Sequence, residues 1–170
     1  LLGGENTYGG NTQMLQGVLE LGSTGRLYQN GPVADAVVTI HTGATWRLPD
    51  FSEQGTGGLT EDRGRRIIDG GTLEITGNSH SSDRNFTVTA TGGTLRYTAP
   101  GQTLTLAGNA TDDLRIDGPW TIDSAGDVSI TETLEGSGSI VKTGAGTLEL
   151  TSPGAIPGPV HVVQGGLLLN

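Results

Sequence analysis

The side chains that could do chemistry fall in a few short stretches. Asp112, Asp113, Arg115, Asp117, Asp123 and Asp127 form the densest acidic region. Two carboxylates held close together could act as general acid and base on a polysaccharide, or bind a hard cation through oxygen. The competing reading is that aspartates at turns and on outward strand positions keep a β protein soluble and discourage sideways pairing. The glycine-rich nonapeptide that binds calcium is absent, and the second reading is adopted, with no catalytic residue, metal or cofactor expected. His41, His80 and His161 lie far apart, with no acid or nucleophile at a motif spacing, and read as surface or turn residues. The weak binding candidates are Trp46, Arg63, Arg65 and Arg66. The arginines could grip an anionic sugar or an acidic partner, and Trp46 with Tyr28 could stack on a sugar ring. The plainer alternatives are ion pairs with Asp50, Glu53, Glu61 and Asp62, and packing of Trp46 beneath its own loop.

The elements that must position these residues are short strands set off by glycine corners. Leu134–Leu150 shows the unit: two alternating runs, Ser139–Val141 and Thr147–Leu150, flank Gly144 and Gly146. The alternation predicts Ile140, Leu148 and Leu150 on a buried side, with Lys142 and Glu149 facing water. The pattern recurs as Gly-Gly-Thr-Leu-Glu-Ile at Gly70–Ile75, Gly-Gly-Thr-Leu-Arg-Tyr at Gly92–Tyr97 and Gln-Gly-Gly-Leu-Leu-Leu at Gln164–Leu169. Looser copies lie at Gln16–Leu21 and Gly101–Leu106. Leu73 to Leu95 spans 22 residues and Leu148 to Leu167 spans 19, so about 20 residues per coil, cut into three strands, predicts a parallel β-helix. An antiparallel β-sandwich is the alternative for many short strands. Matched hairpin turns are scarce, however, and Asn30-Gly31 runs straight into Pro32.

Composition bounds the rest. The chain has 170 residues, enough for one domain with a continuous core, and 30 of them are glycine. Two Phe, three Tyr and two Trp are few for a sandwich, which predicts a thin interior lined by Leu, Ile and Val. Residues 42–69 break the pattern and are expected to form a loop excursion, with Trp46 and Phe51 folding back over it and Ile67-Ile68 returning to the core. Eighteen acidic against nine basic residues, a net charge of −9, makes nucleic acid an unsuitable partner. There is no cysteine, and no apolar run reaches membrane-spanning length. Leu1-Leu2-Gly3-Gly4 resembles neither a signal peptide nor a natural start, so a processed product or a piece of something longer is expected.

Laying residues 1–22 over 149–170 gives six identities: Leu2/Leu150, Gly10/Gly158, Gln16/Gln164, Gly17/Gly165, Leu19/Leu167 and Leu21/Leu169. The chain is therefore expected to end at the phase of a repeat at which it begins. Open solenoid ends expose apolar residues and strand edges, which predicts copies of itself as partners, as covalent repeats or stacked end to end.

Leu134–Thr151, with its Gly-Ser-Gly and Lys-Thr-Gly-Ala-Gly-Thr-Leu-Glu-Leu runs, resembles the autotransporter-associated β-strand repeat, also called the passenger-associated transport repeat. Glu5–Leu21, with Asn6-Thr7-Tyr8 and Thr12, is similar to the second half of one repeat. Residues 134–170 are similar to a whole one, although Gly154-Ala155-Ile156-Pro157 replaces the Asn-Thr-Tyr turn. The resemblance covers about a third of the chain. It implies a right-handed parallel β-helix at the surface of a Gram-negative-type bacterium, acting as stalk and as an aid to export, and it brings no catalytic residues. The expectation is thus a structural extracellular solenoid, not an enzyme. A surface glycan held by the 42–69 loop is the rival, and a polysaccharide-degrading β-helix the remoter one.

Overall fold

The computed structural model describes residues 10–22, 37–49, 66–83, 86–107, 114–151 and 158–170. Every one of these segments contributes strands, and none contributes a helix. The chain cycles through three parallel sheets. The six-stranded sheet runs β1 (Thr12–Met14), β3 (Val38–His41), β5 (Arg66–Asp69), β8 (Thr87–Val88), β11 (Leu114–Ile116) and β14 (Leu134–Gly136). The seven-stranded sheet runs β2 (Gly17–Glu20), β4 (Ala44–Leu48), β6 (Thr72–Ile75), β9 (Gly93–Tyr97), β12 (Trp120–Ser124), β15 (Ile140–Thr143) and β17 (Val160–Val162). The five-stranded sheet runs β7 (His80–Ser82), β10 (Thr103–Leu106), β13 (Asp127–Ile130), β16 (Thr147–Leu150) and β18 (Gly166–Leu169).

All pairings between these strands are parallel. That establishes the β-solenoid and removes the antiparallel sandwich. The two spacings read from the sequence are true stacking neighbours: Leu73 pairs with Leu95 and Leu148 with Leu167. Coil length varies more than expected. Arg47 pairs Glu74 at a separation of 27, while Asp123 pairs Thr143 at 20. Residues 23–36 and 50–65, which join the seven-stranded sheet to the six-stranded one in the first two layers, lie outside the described residues.

The stack holds because each layer satisfies the backbone of the next, while alternate side chains point inward. One inward column of the seven-stranded sheet reads Leu19, Trp46, Leu73, Leu95, Ile122, Lys142, Val162. Burying one such aliphatic side chain is worth about 1.5–3 kcal/mol. The neighbouring column carries Gly71 and Gly93, where an added Cβ would come within 2.5 Å of the Ile40 Cγ2 and 2.2 Å of the Ile68 Cγ2. Small residues on one sheet therefore admit isoleucines from the six-stranded sheet. The interior is less purely aliphatic than expected: Trp46, Phe86, Tyr97 and Trp120 are all buried, with Phe86 and Trp120 edge to face at 5.6 Å.

The proposed excursion at 42–69 is corrected at both ends. Ala44–Leu48 and Arg66–Asp69 are regular strands of the stack, with Ala44, Trp46 and Leu48 buried. Trp46 sits on an inward strand position instead of covering a loop, and Phe51 lies outside the described residues. The corner at Gly144 and Gly146 is as drawn from the sequence. Gly144 has φ of +75°, and a Cβ on Gly146 would lie 1.9 Å from the Gly126 carbonyl oxygen of the layer below.

Candidate functional site

The outward face of the seven-stranded sheet carries a ladder of charge along the stack axis. In register, one residue per layer, it reads Glu20, Arg47, Glu74, Arg96, Asp123 and Thr143. The Arg47 Nη1 lies 3.1 Å from the Glu20 Oε2, and its Nε lies 2.9 Å from the Glu74 Oε1. Arg96 reaches back to Glu74 at 3.9 Å and donates forward to Asp123 at 3.0 Å. The Thr143 hydroxyl donates to Asp123 at 3.4 Å. Glu74 is buried between its two arginines. Its hydrogen bond with Arg47, followed by that of Glu20, raises the Arg47 pKa above the ordinary arginine value. From Glu20 to Asp123 acids and bases alternate, so each of these charges meets an opposite one directly across the strand gap.

A second polar row lies along the end of the six-stranded sheet. The His41 Nδ1 is 3.0 Å from the Asp69 Oδ2, and the Thr89 hydroxyl donates to the Asp69 Oδ1 at 2.6 Å. The hydrogen bonds from Thr89 and Thr91, then the His41 contact, hold the Asp69 carboxyl below the usual carboxylate range. No motif spacing along the chain offered His41 an acid; the stack supplies one. Asp69 follows His41 by 28 residues, one coil, so motif spacing along the chain could not reveal it. His80 lies on the five-stranded sheet, with its Nδ1 3.0 Å from the Asn78 carbonyl oxygen, and His161 on the seven-stranded one. The three histidines sit on three different sheets.

The third site is inside. Lys142 is 0 % exposed, in the aliphatic column between Ile122 and Val162. Its Nζ donates to the carbonyl oxygens of Thr143 and, at 3.0 Å, Gly144. A Cβ on Gly165, in the layer above, would lie 3.0 Å from that Nζ. Burial lowers the Lys142 pKa from the ordinary lysine value, against the opposing pull of Asp123 and Asp127. The expectation that Lys142 faces water is therefore wrong. The parity that turns Ile140 inward turns Lys142 inward too, two residues on. The ammonium is tolerated because the chain bends at Gly144 and leaves carbonyls aimed at it.

The weak binding candidates divide. Trp46 is 1 % exposed and Arg66 2 %, so neither offers a face to a ligand in solvent. Trp46 packs, as the plainer reading held, but in the stack interior. Arg63, Arg65 and Tyr28 lie outside the described residues, as do Asp112, Asp113, Asp50, Glu53, Glu61 and Asp62. The remaining acidic residues are not brought together. Asp117 accepts from Arg115 beside the six-stranded sheet at 2.8 Å, and Asp123 belongs to the ladder. Asp127, on the five-stranded sheet, accepts the Thr147 amide at 2.7 Å. A shallow groove of about 210 Å³ on that last sheet is lined by Thr103, Asp127, Ser129, Thr147, Glu149 and Leu168. Its two carboxylates are already engaged, Glu149 by the Ser129 hydroxyl and the Asn170 amide. Among the described residues no three His, Asp or Glu side chains converge as metal ligands.

Comparison with protein families, with curated proteins and with solved structures returned no match. The repeat resemblance therefore rests on its own residues.

Two of the three polar features carry a signal in the sequence. Glu74 and Arg96 occupy the same place in two matching units, Gly-Gly-Thr-Leu-Glu and Gly-Gly-Thr-Leu-Arg. Once those units are stacked, opposite charges meet. Lys142 is signalled by strand parity alone.

Proposed function

We propose that this chain is a structural coil segment of an extracellular, autotransporter-like surface protein, serving as stalk or filament and joined at its ends to further coils or copies of itself. One observation carries this reading. The large apolar side chains that remain exposed among the described residues are Leu15, Val18, Val162, Val163, Leu168 and Leu169, all in the first or last described layer. The flanks carry paired charges and hydroxyls instead. Solenoids place their unmet surface at the ends of the stack, where another repeat or a cap belongs. The resemblance of Leu134–Thr151 to the autotransporter-associated repeat supports a bacterial surface location and a mechanical role. On this reading the ladders keep the flanks soluble and in register while the core resists extension. Electron microscopy of the native material tests it: long thin fibres or stalks are expected. Compact single particles of one chain would overturn it.

A further inference from the structure

The outward face of the five-stranded sheet carries a groove that neither the core nor the charge ladder accounts for. We propose that this groove binds a single neutral hexopyranose unit of a glycan. The proposal goes beyond the stalk reading and does not depend on it.

Strand parity builds the groove. Leu104, Val128 and Leu148 are buried, so the residues on either side of each face outward. Thr103, Asp127 and Thr147 form one outward column, and Thr105, Ser129 and Glu149 the next. The columns stand two residues apart, roughly 7 Å, and successive layers roughly 4.8 Å apart. The strand β18 shapes the upper end. In register with Thr147-Leu148-Glu149 it places Gly166-Leu167-Leu168, so a glycine stands over Thr147 and a leucine over Glu149. The first change leaves no side chain above Thr147. The second sets an apolar wall, Leu168 at 45 % exposure, at the head of a polar column.

The lining selects the ligand. At about 210 Å³ the groove lies below the ~300–1,000 Å³ of pockets for larger organic ligands, which suits one sugar ring. Thr103 and Thr147 offer hydroxyls that both donate and accept, matching the hydroxyls around a pyranose. An ionised carboxylate has about four acceptor sites. Asp127 uses one on the Thr147 amide at 2.7 Å. Glu149 uses two, on the Ser129 hydroxyl at 3.0 Å and the Asn170 side-chain amide at 2.8 Å. Both carboxylates are therefore aimed by their neighbours and keep capacity for sugar hydroxyls. Acceptors fixed beforehand lower the ordering cost of binding. Leu168 supplies an apolar surface for the C–H face of the ring.

Charge narrows the choice. Two carboxylates line the groove, and among the described residues no lysine, arginine or histidine does, so uronic and sulfated sugars are repelled. No third carboxylate or histidine joins the pair among the described residues, so the oxygens suit hydroxyl donors better than a metal ion. The sequence had pointed to the 42–69 stretch for a glycan. Trp46 and Arg66 are buried there, and the groove lies on a different sheet.

Two-dimensional NMR of the full chain, titrated with the methyl glycosides of glucose, galactose and mannose and with methyl glucuronide, tests the site. Saturable shifts confined to the amides of the lining residues are expected with at least one neutral glycoside, at a roughly millimolar dissociation constant. The glucuronide should leave them unmoved. Thr103→Val combined with Thr147→Val keeps the shape and removes two hydroxyls, so binding should weaken about tenfold with the thermal melt unchanged. Leu168→Ser, at an exposed position, gives an independent check and should weaken binding severalfold. Undiminished binding by both variants, no shifts with any neutral glycoside, or a glucuronide bound as well as the glucoside would each overturn the proposal. Putrescine shifting these amides where the glycosides do not would reduce the groove to an acidic patch and overturn it too. In every such case micrographs of the native material still decide the stalk reading.

Discussion

The two electrostatic features of the stack solve opposite problems. On the seven-stranded sheet, Glu20, Arg47, Glu74, Arg96 and Asp123 spread five charges over five layers, each beside its opposite and, except for Glu74, partly in water. Inside, Lys142 is a single charge held by two backbone carbonyls in a column of hydrocarbon. The ladder is redundant, screened by salt and tolerant of change. The lysine has one place where its ammonium can be satisfied, so a shift of its layer would strand the charge. Exposed pairs therefore smooth a flank, while a buried ion discriminates between otherwise similar coils.

Substitutions can break this contrast. Lys142→Glu should have the largest effect, a loss of about 4 kcal/mol or more, since a carboxylate would face the carbonyls of Thr143 and Gly144. Urea unfolding should then show the last layers melting apart from the rest. Lys142→Met should stay within about 2 kcal/mol of wild type, because removing the ion's desolvation offsets two lost hydrogen bonds. A loss as large as that of Lys142→Glu would mean that the ammonium is strongly stabilising, and the contrast would fail.

Gly165→Ala should follow, at about 2–4 kcal/mol, from its left-handed backbone and from crowding. Its Cβ would lie 2.3 Å from the Gly146 carbonyl oxygen and 2.5 Å from that of Gly144. A thermal melt unchanged from wild type would contradict the close approach of the two layers.

The pH dependence is smaller and has a definite sign. Lys142 has a lowered folded-state pKa, so the unfolded chain binds more protons between that value and the ordinary lysine value. Stability should rise as pH climbs through that window, and the rise should vanish in Lys142→Met. Asp69 works in the other direction along the scale. Its carboxyl is held low, so its contribution is present above the ordinary aspartate value and is lost as pH falls through the folded one. Asp69→Asn should flatten that acid limb in a pH titration of stability.

Arg96→Gln should do least, at about 1 kcal/mol or below, and less still in 1 M salt. A cost several times larger, unaffected by salt, would show that the ladder does not tolerate change.

Much of the architecture was legible in the chain. Glycine corners with alternating triplets specified the strands, and the spacings Leu73–Leu95 and Leu148–Leu167 specified parallel stacking, because both patterns are local and repeat. The excursion at 42–69 was misjudged for a related reason. Across residues 42–69 the apolar residues Trp46, Leu48, Phe51 and Leu59 are scattered among Gly, Pro and charge, and Ala44–Leu48 carries Trp46 where the other copies carry Leu. Space for large inward side chains comes from small ones such as Gly71 and Gly93 elsewhere in the layers, which a single coil does not reveal.

What the amino-acid order determined alone was the unit: a corner, a short strand, and the parity of its side chains. What the tertiary structure decided was which units lie on which. His41 met Asp69 and Arg47 met Glu20 and Glu74, because coils of unequal length bring together residues 20 to 28 positions apart, and the matching units Gly17–Glu20 and Gly166–Leu169 took up different sheets. Lys142 shows the same division. Its parity was written in the strand, but the carbonyls that make its burial tolerable exist only once the corner at Gly144 has been folded beneath the next layer.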